Sequence, residues 1–232
     1  MGKGYRTGLV IILVLTLAIL STYVLSHFVF KFKKSTGFSK VVDKISKYDY
    51  TLDERDSKLM REKFKDLKKV LKADQVNYDE YAKLLAQMYI IDLYDINNKV
   101  NKYDVPCLEY IYKSEQDKFK KMIKTQFYSQ LVDNSDGNRK QELPSVKSIE
   151  VISSDESKVD VSGKSYDGYI IVLSWEYDKD LGFDKKSEVR IAKDNNKLYV
   201  IKHSPIIDWF LTKFVYNSIR GEKIWINLIK LI

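Results

Sequence analysis

From Thr7 to Phe30 the chain runs for 24 residues without a charge, and its polar members are only Thr, Ser, Tyr, His and Gly. A helix needs about 20 mostly apolar residues to cross a bilayer, so this run predicts a membrane-spanning helix with a little tilt. A secretory signal would be shorter, with small residues at its cleavage site. Here the run closes on Ser26-His27-Phe28-Val29-Phe30-Lys31, so an uncleaved anchor is expected. A buried core helix is the competing reading, and it lacks the polar face that would meet water. Tyr23, His27 and Phe28 fall toward one end of the span, where amphipathic rings favour the headgroups. His27 reads as interfacial because no ionisable partner lies near it in sequence. Lys31, Lys33 and Lys34 then mark the membrane–water boundary.

Charge placement decides what the basic composition means. The formal charge is +8, yet residues 1–44 carry seven Lys or Arg against Asp43 alone. The tail from Pro205 carries Lys213, Arg220, Lys223 and Lys230 against Asp208 and Glu222. The block 45–204 is therefore neutral, with 29 basic and 29 acidic residues. Nucleic-acid binding requires clustered cations, so no nucleic-acid partner is expected. Cations beside an anchor instead draw the chain toward anionic headgroups. With one cysteine, Cys107, and two histidines, His27 and His203, neither an internal disulfide nor a structural zinc site is expected. No cofactor is implied.

The sequence divides into a leader and anchor (1–34), a juxtamembrane linker (35–47), a folded domain (48–204) and an apolar tail (205–232). In the domain, helical patterns come first. Asp53 offers an N-cap to a helix whose apolar stripe is Met60, Phe64, Leu67 and Leu71. Lys58, Arg61, Lys65, Lys68 and Lys69 lie mostly on its wet side and suit an acidic partner, although the interleaved Glu62 and Asp66 favour plain solvation. Asn77 and Glu80 form a capping pair for a second helix. Tyr81, Leu84, Leu85, Met88, Ile91 and Leu93 mark it as the central buried one. Asp92 and Asp95 interrupt its most apolar stretch. As buried carboxylates they are candidate acid–base or ligand-binding groups; alternatively Asp95 pairs with Lys99 and Asp92 enters a polar groove or caps a neighbouring turn. Ser114 and Asp117 read as the capping box of a third helix, with Phe119, Met122, Ile123, Phe127 and Leu131 as its stripe. Cys107 reads as a packing thiol rather than a nucleophile. The loop Asp133–Pro144 lacks the closing Glu of a calcium loop.

Strand patterns follow at Val146–Ser153, around Val159 and Val161, at Gly168–Asp178, Glu188–Lys193 and Leu198–Lys202. Short connections predict an antiparallel meander. Alternation places Tyr169, Ile171, Leu173, Trp175 and Tyr177 on one face, toward the helices. The fold class is α+β: an anchor helix, three helices, a curved antiparallel sheet of about four strands, and an amphipathic C-terminal helix.

This element order and the long aromatic strand resemble the cystatin-like cone superfamily typified by nuclear transport factor two. With a single anchor in front, the arrangement resembles the bitopic assembly subunit of type IV secretion and conjugation machines. That resemblance implies an extracytoplasmic cone acting as a scaffold among other envelope proteins or copies of itself. The Lys and Arg count flanking the anchor leans slightly the other way, toward a cytoplasmic domain. A single-pass membrane protein with its domain outside the cytoplasm is the resulting expectation.

In the tail, Ile206, Ile207, Phe210, Leu211, Phe214, Val215 and Ile219 recur at helical spacing, interrupted by charges. Trp209, Lys213, Arg220 and Trp225 suit a helix lying in the membrane interface; packing on the domain or on another copy is the competing reading. Two functions from different classes emerge. The first is a membrane-anchored, non-catalytic assembly module. The second is a ligand-binding or enzymatic cone, for which Asp92, Tyr94, Asp95, Trp175 and Tyr177 are the candidate pocket residues. A filled interior favours the first and an open pocket the second.

Overall fold

The computed structural model describes residues 14–24, 39–161 and 163–206. Residues 14–24 are helical (α1). A hairpin of β1 (Val41–Ile45) and β2 (Tyr50–Asp53) leads into helices α2 (Lys58–Lys72), α3 (Tyr78–Tyr94) and α4 (Gln116–Met122). Strands β3 (Val146–Val161), β4 (Lys164–Tyr177), β5 (Lys186–Asp194) and β6 (Lys197–Pro205) then form an antiparallel meander in that order. The class is α+β. Among the described residues no helix is long and apolar enough to cross a membrane; of the expected span, only residues 14–24 are described.

The layering follows from how much of each helix is apolar. α2 buries only Met60, Phe64, Leu67 and Leu71, the stripe its spacing predicts, and so has one packed face. α3 buries residues all round, including Tyr81, Leu85, Met88, Ile90 and Leu93. A helix of that kind must be covered on both sides: α2 lies on one, and all four strands of the meander on the other. The Asn77 side chain accepts from Glu80 N at 3.1 Å and sets where α3 starts.

In β4 the alternation is clean. Tyr169, Ile171, Leu173, Trp175 and Tyr177 are buried, while Ile170, Val172 and Ser174 are half-buried and Glu176 exposed. Gly168 sits where β4 crosses β5 closely; a Cβ there would stand 2.1 Å from the Ile191 carbonyl oxygen. At the far edge, the Tyr110 carbonyl accepts from Val200 N at 2.8 Å, and Ile111 forms a parallel bridge to Val200.

Two buried tyrosines join the hairpin to the sheet. Leu198 N donates to the Tyr81 hydroxyl at 3.2 Å, and Tyr50 donates to the Leu198 carbonyl at 3.1 Å. The two hydroxyls are 2.5 Å apart. With Tyr50 committed as donor to Leu198, Tyr81 donates to Tyr50, so the bonds close into a ring tying β2, α3 and β6 together.

Several boundaries differ from expectation. The stretch 35–47 read as linker contains β1, whose apolar pair Val41–Val42 is short and set among polar and basic residues. The cap of α2 is Ser57, whose hydroxyl accepts from Met60 N at 3.3 Å, and not Asp53. Asp53 ends β2, and its N–H is taken by Asp56 Oδ2 at 2.6 Å. The Ser114–Asp117 capping box does not form, because Lys113–Glu115 make a 3₁₀ turn that runs straight into α4. α4 is only 7 residues long and passes into a π turn, Ile123–Phe127. The two expected segments at 146–153 and 159–161 are one 16-residue strand. Its polar middle, Ser153–Ser157, pairs with Val172–Gly168 of β4, and register shifts at Val146/Ser148 and Val151/Ser153 absorb the mismatch.

Candidate functional site

α3 ends at Tyr94, and the chain doubles back through a 3₁₀ turn, Ile96–Asn98. That reversal brings Lys99 beside Asp92 of the last helical turn, with Nζ and Oδ1 2.5 Å apart and both side chains largely buried. The other Asp92 oxygen accepts from Cys107 N at 2.6 Å. Cys107 has φ of +63°, a left-handed conformation uncommon for a residue with a Cβ, so Asp92 holds a strained turn as well as an ion pair. Asp104 accepts from Arg55 Nη1 at 2.5 Å and from Val100 N at 2.9 Å. Glu109 receives Thr51 N at 3.0 and 3.1 Å and Thr51 Oγ1 at 2.7 Å, locking the segment after Cys107 to β2.

These groups surround a cavity of about 170 Å³, lined by five carboxylates (Asp53, Asp56, Asp92, Asp104 and Glu109) and by the cations of Arg55 and Lys99. Burial pushes Glu109 up to about 7, even though the Thr51 hydrogen bonds pull the other way. Burial also pushes Asp56 up to about 6 and raises Asp53, with Asp92 adding repulsion to both. For Lys99 burial acts to lower the pKa, but the attraction of Asp92, helped by Asp104, outweighs it and keeps the ammonium charged. The Cys107 thiol is pushed well up by burial and then by Asp92, which removes the thiolate a nucleophile would need. Among the described residues no group of three or more His, Cys, Asp or Glu is arranged to hold a metal ion. What the cavity can do is exchange protons at Glu109 and Asp56 near neutral pH.

This gives a signed pH dependence. A carboxylic acid whose folded pKa is raised binds more protons in the folded state, so its contribution to stability falls as pH rises through the window between the unfolded and folded values. For Glu109 that window runs from 4.5 to about 7. Replacing Glu109 with Gln should flatten the decline in stability across it, by up to ~3 kcal/mol, read as urea midpoints at a series of pH values. An unchanged slope would show that Glu109 titrates normally. His203 works in the opposite sense. It lies between the Tyr89 and Tyr94 rings, 5.6 and 5.8 Å away, and burial lowers it to about 4. Its cost therefore grows as pH falls below 6.5, and Glu109→Gln should leave that acid limb in place.

No family model, curated protein or solved structure matches this chain. Its chemistry is therefore read from the side chains alone.

Of the pocket residues expected from sequence, only Asp92 lines the cavity. Asp95 caps the end of α3 and is buried, with its carboxyl pushed up by burial; the ion pair of Lys99 goes to Asp92 instead. Tyr94 and Trp175 pack ring to ring at 4.9 Å in the core, and the Tyr177 hydroxyl donates to the Asp184 carbonyl at 2.7 Å. These side chains fill the space between sheet and helices. Of the membrane-interface residues, Tyr23 lies on α1 and is 67% exposed. His27, Lys31, Lys33, Lys34, Trp209, Lys213, Arg220 and Trp225 lie outside the described residues, as does the segment expected to form the tail helix. Sequence reasoning missed Arg55, Asp104 and Glu109 as members of the site and gave Lys99 the wrong partner. One signal was present: Glu109 is a lone carboxylate beside Leu108, Tyr110 and Ile111.

Proposed function

We propose that this protein is a membrane-tethered, non-catalytic assembly module, anchored by the apolar segment Thr7–Phe30 and presenting its α+β domain to other envelope proteins. The observation that carries the reading is α1. Every one of residues 14–24 is exposed, with Leu17 at 60% and Ile19 at 68%. Two of its hydroxyls turn back to the helix: Ser21 donates to Ala18 O at 2.8 Å and Thr22 to Ile19 O at 2.9 Å. A helix with apolar side chains on every side, whose Ser21 and Thr22 hydroxyls bond back to its own carbonyls, suits hydrocarbon, where no water is present to take those bonds.

The filled interior supports a non-catalytic role. An enzymatic or ligand-binding cone would need Tyr94, Trp175 and Tyr177 to open a pocket, and they pack the core instead. The polar cavity, at about 170 Å³, falls below the roughly 300–1,000 Å³ usual for small-molecule sites. The order of helices and sheet remains the basis of the resemblance to the cone-bearing assembly subunits, and an extracytoplasmic domain goes with it. The full chain should stay in the membrane pellet through alkaline carbonate washing, and deleting residues 1–34 should move most of it to the soluble fraction. Release of the full chain by carbonate would refute the tether.

A further inference from the structure

Charge is segregated within the neutral domain. α2 carries seven basic residues against two acidic ones, leaving 22 basic against 27 acidic residues for the rest of the block 45–204. Its outermost positions, the most exposed on the helix, are Lys58, Glu62, Lys65, Lys69 and Lys72, four cations and one carboxylate at helical spacing. Among the described residues, two of the four cations have carboxylate partners and two do not. Lys58 and Glu62 are 3.9 Å apart, and Lys69 pairs with the flanking Asp66 at 2.8 Å. Lys65 and Lys72 form no ion pair among the described residues. Lys68, on the flank, is committed to Asp43 of β1 at 2.6 Å. That last contact fixes the helix against the strand through which the chain reaches the domain from the anchor. Val41 follows Phe30 by eleven residues, a reach of at most about 40 Å even fully extended. β1 and the basic helix bonded to it are therefore among the elements nearest the anchor along the chain.

We infer that the Lys58–Lys65–Lys69–Lys72 stripe of α2 docks the domain onto an anionic lipid leaflet, so that the domain lies down on the membrane instead of standing off it. The inference rests on the proposed anchor. A domain with a basic helix and an acidic remainder is an electric dipole, and the field of an anionic surface turns its positive side inward. The attraction acts within a Debye length of the headgroups, and a tether of at most about 40 Å keeps the stripe close enough to sample that range repeatedly. Plain solvation of the Lys-rich face is the outcome the experiment must exclude.

The test uses the full chain in nanodiscs, with a donor dye on a Gln75→Cys variant. Gln75 is exposed just after α2, whereas Cys107 is buried and does not compete for label. Energy transfer to headgroup acceptors is compared between discs containing one-third phosphatidylglycerol and discs of phosphatidylcholine alone. Docking predicts at least a twofold greater transfer in the anionic discs. That difference should vanish at ~0.5 M salt, where the Debye length falls to about 4 Å, and in the Lys65→Glu/Lys69→Glu/Lys72→Glu variant. Equal transfer in the two lipids, from chain that has inserted, overturns the docking and leaves the anchor standing. Chain that fails to insert overturns both.

Discussion

Truncating Trp175 to Ala should cost about 3–5 kcal/mol of stability, the range for deleting a large aromatic from a packed core. Trp175 is only 3% exposed, stands on the inner face of β4 and lies against the Tyr94 ring of α3. Tyr94 in turn meets Phe127 edge-on at 5.3 Å, so the cavity left behind would open at the junction of sheet, α3 and the π turn. At a typical slope of ~2 kcal/mol per molar urea, the midpoint should fall by roughly 2 M, followed by circular dichroism because the substitution removes a fluorophore. Trp175→Phe keeps an aromatic in place and should cost clearly less. A loss below about 1 kcal/mol for the Ala variant is outside the range for core aromatics. It would put Trp175 on a pocket wall and revive the ligand-binding reading.

Lys99→Met should be similarly damaging, at about 3–5 kcal/mol, because it strands a buried carboxylate rather than because the ion pair is itself strongly stabilising. The Lys99 side chain is 9% exposed and that of Asp92 17%. Without the ammonium, Asp92 is left with Cys107, whose N–H it accepts, in a site where Asp53, Asp56, Asp104 and Glu109 add further negative charge. Adding Asp92→Asn to Lys99→Met should restore part of the loss, since a neutral amide removes the uncompensated charge and can still accept from Cys107. A double variant no better than Lys99→Met would mean that the damage comes from lost packing of the lysine stem.

Where the fold was legible in sequence, the information was local. Asn77 and Glu80 announce the start of α3 because a cap and its N–H partner lie three residues apart. Residues 169–177 announce β4 because alternation has a period of two. The site was not legible, because it is assembled from β2, the turn before α2, the end of α3 and the segment 98–110. Asp92 stood out as a charge in an apolar run, expected to enter a polar groove or cap a neighbouring turn, but Lys99 was assigned to Asp95 instead of to it. The i,i+4 rule looks along a continuing helix, whereas this one stops at Tyr94 and the 3₁₀ turn carries Lys99 back past Asp95 to Asp92. The start of α2 was misplaced for a related reason. Asp53, Asp56 and Ser57 all offer capping oxygens, and only the departure of β2 from its hairpin decides among them. β1 was hidden because two valines in a basic stretch carry too little pattern to announce a strand without its partner.

The ring of hydrogen bonds through Tyr50, Tyr81 and Leu198 has a mechanical meaning for a tethered domain. Under the proposed tether, tension from the anchor would reach the fold at β1, the first strand; tension through the residues after Pro205 would reach it at the end of β6, the last. The tyrosine ring joins the start of β2 to the start of β6 at Leu198, with α3 as the bracket, so it lies behind both the β1–β2 and the β5–β6 ladders as seen from the two ends. A pull between them loads the Val41–Asp53 end of the hairpin and the Pro205–Ser187 end of the meander first, and reaches the three hydrogen bonds of the ring only after those ladders have opened. The ring is thus an inner fastening that keeps β2, α3 and β6 together after the outer ends of the two ladders have peeled.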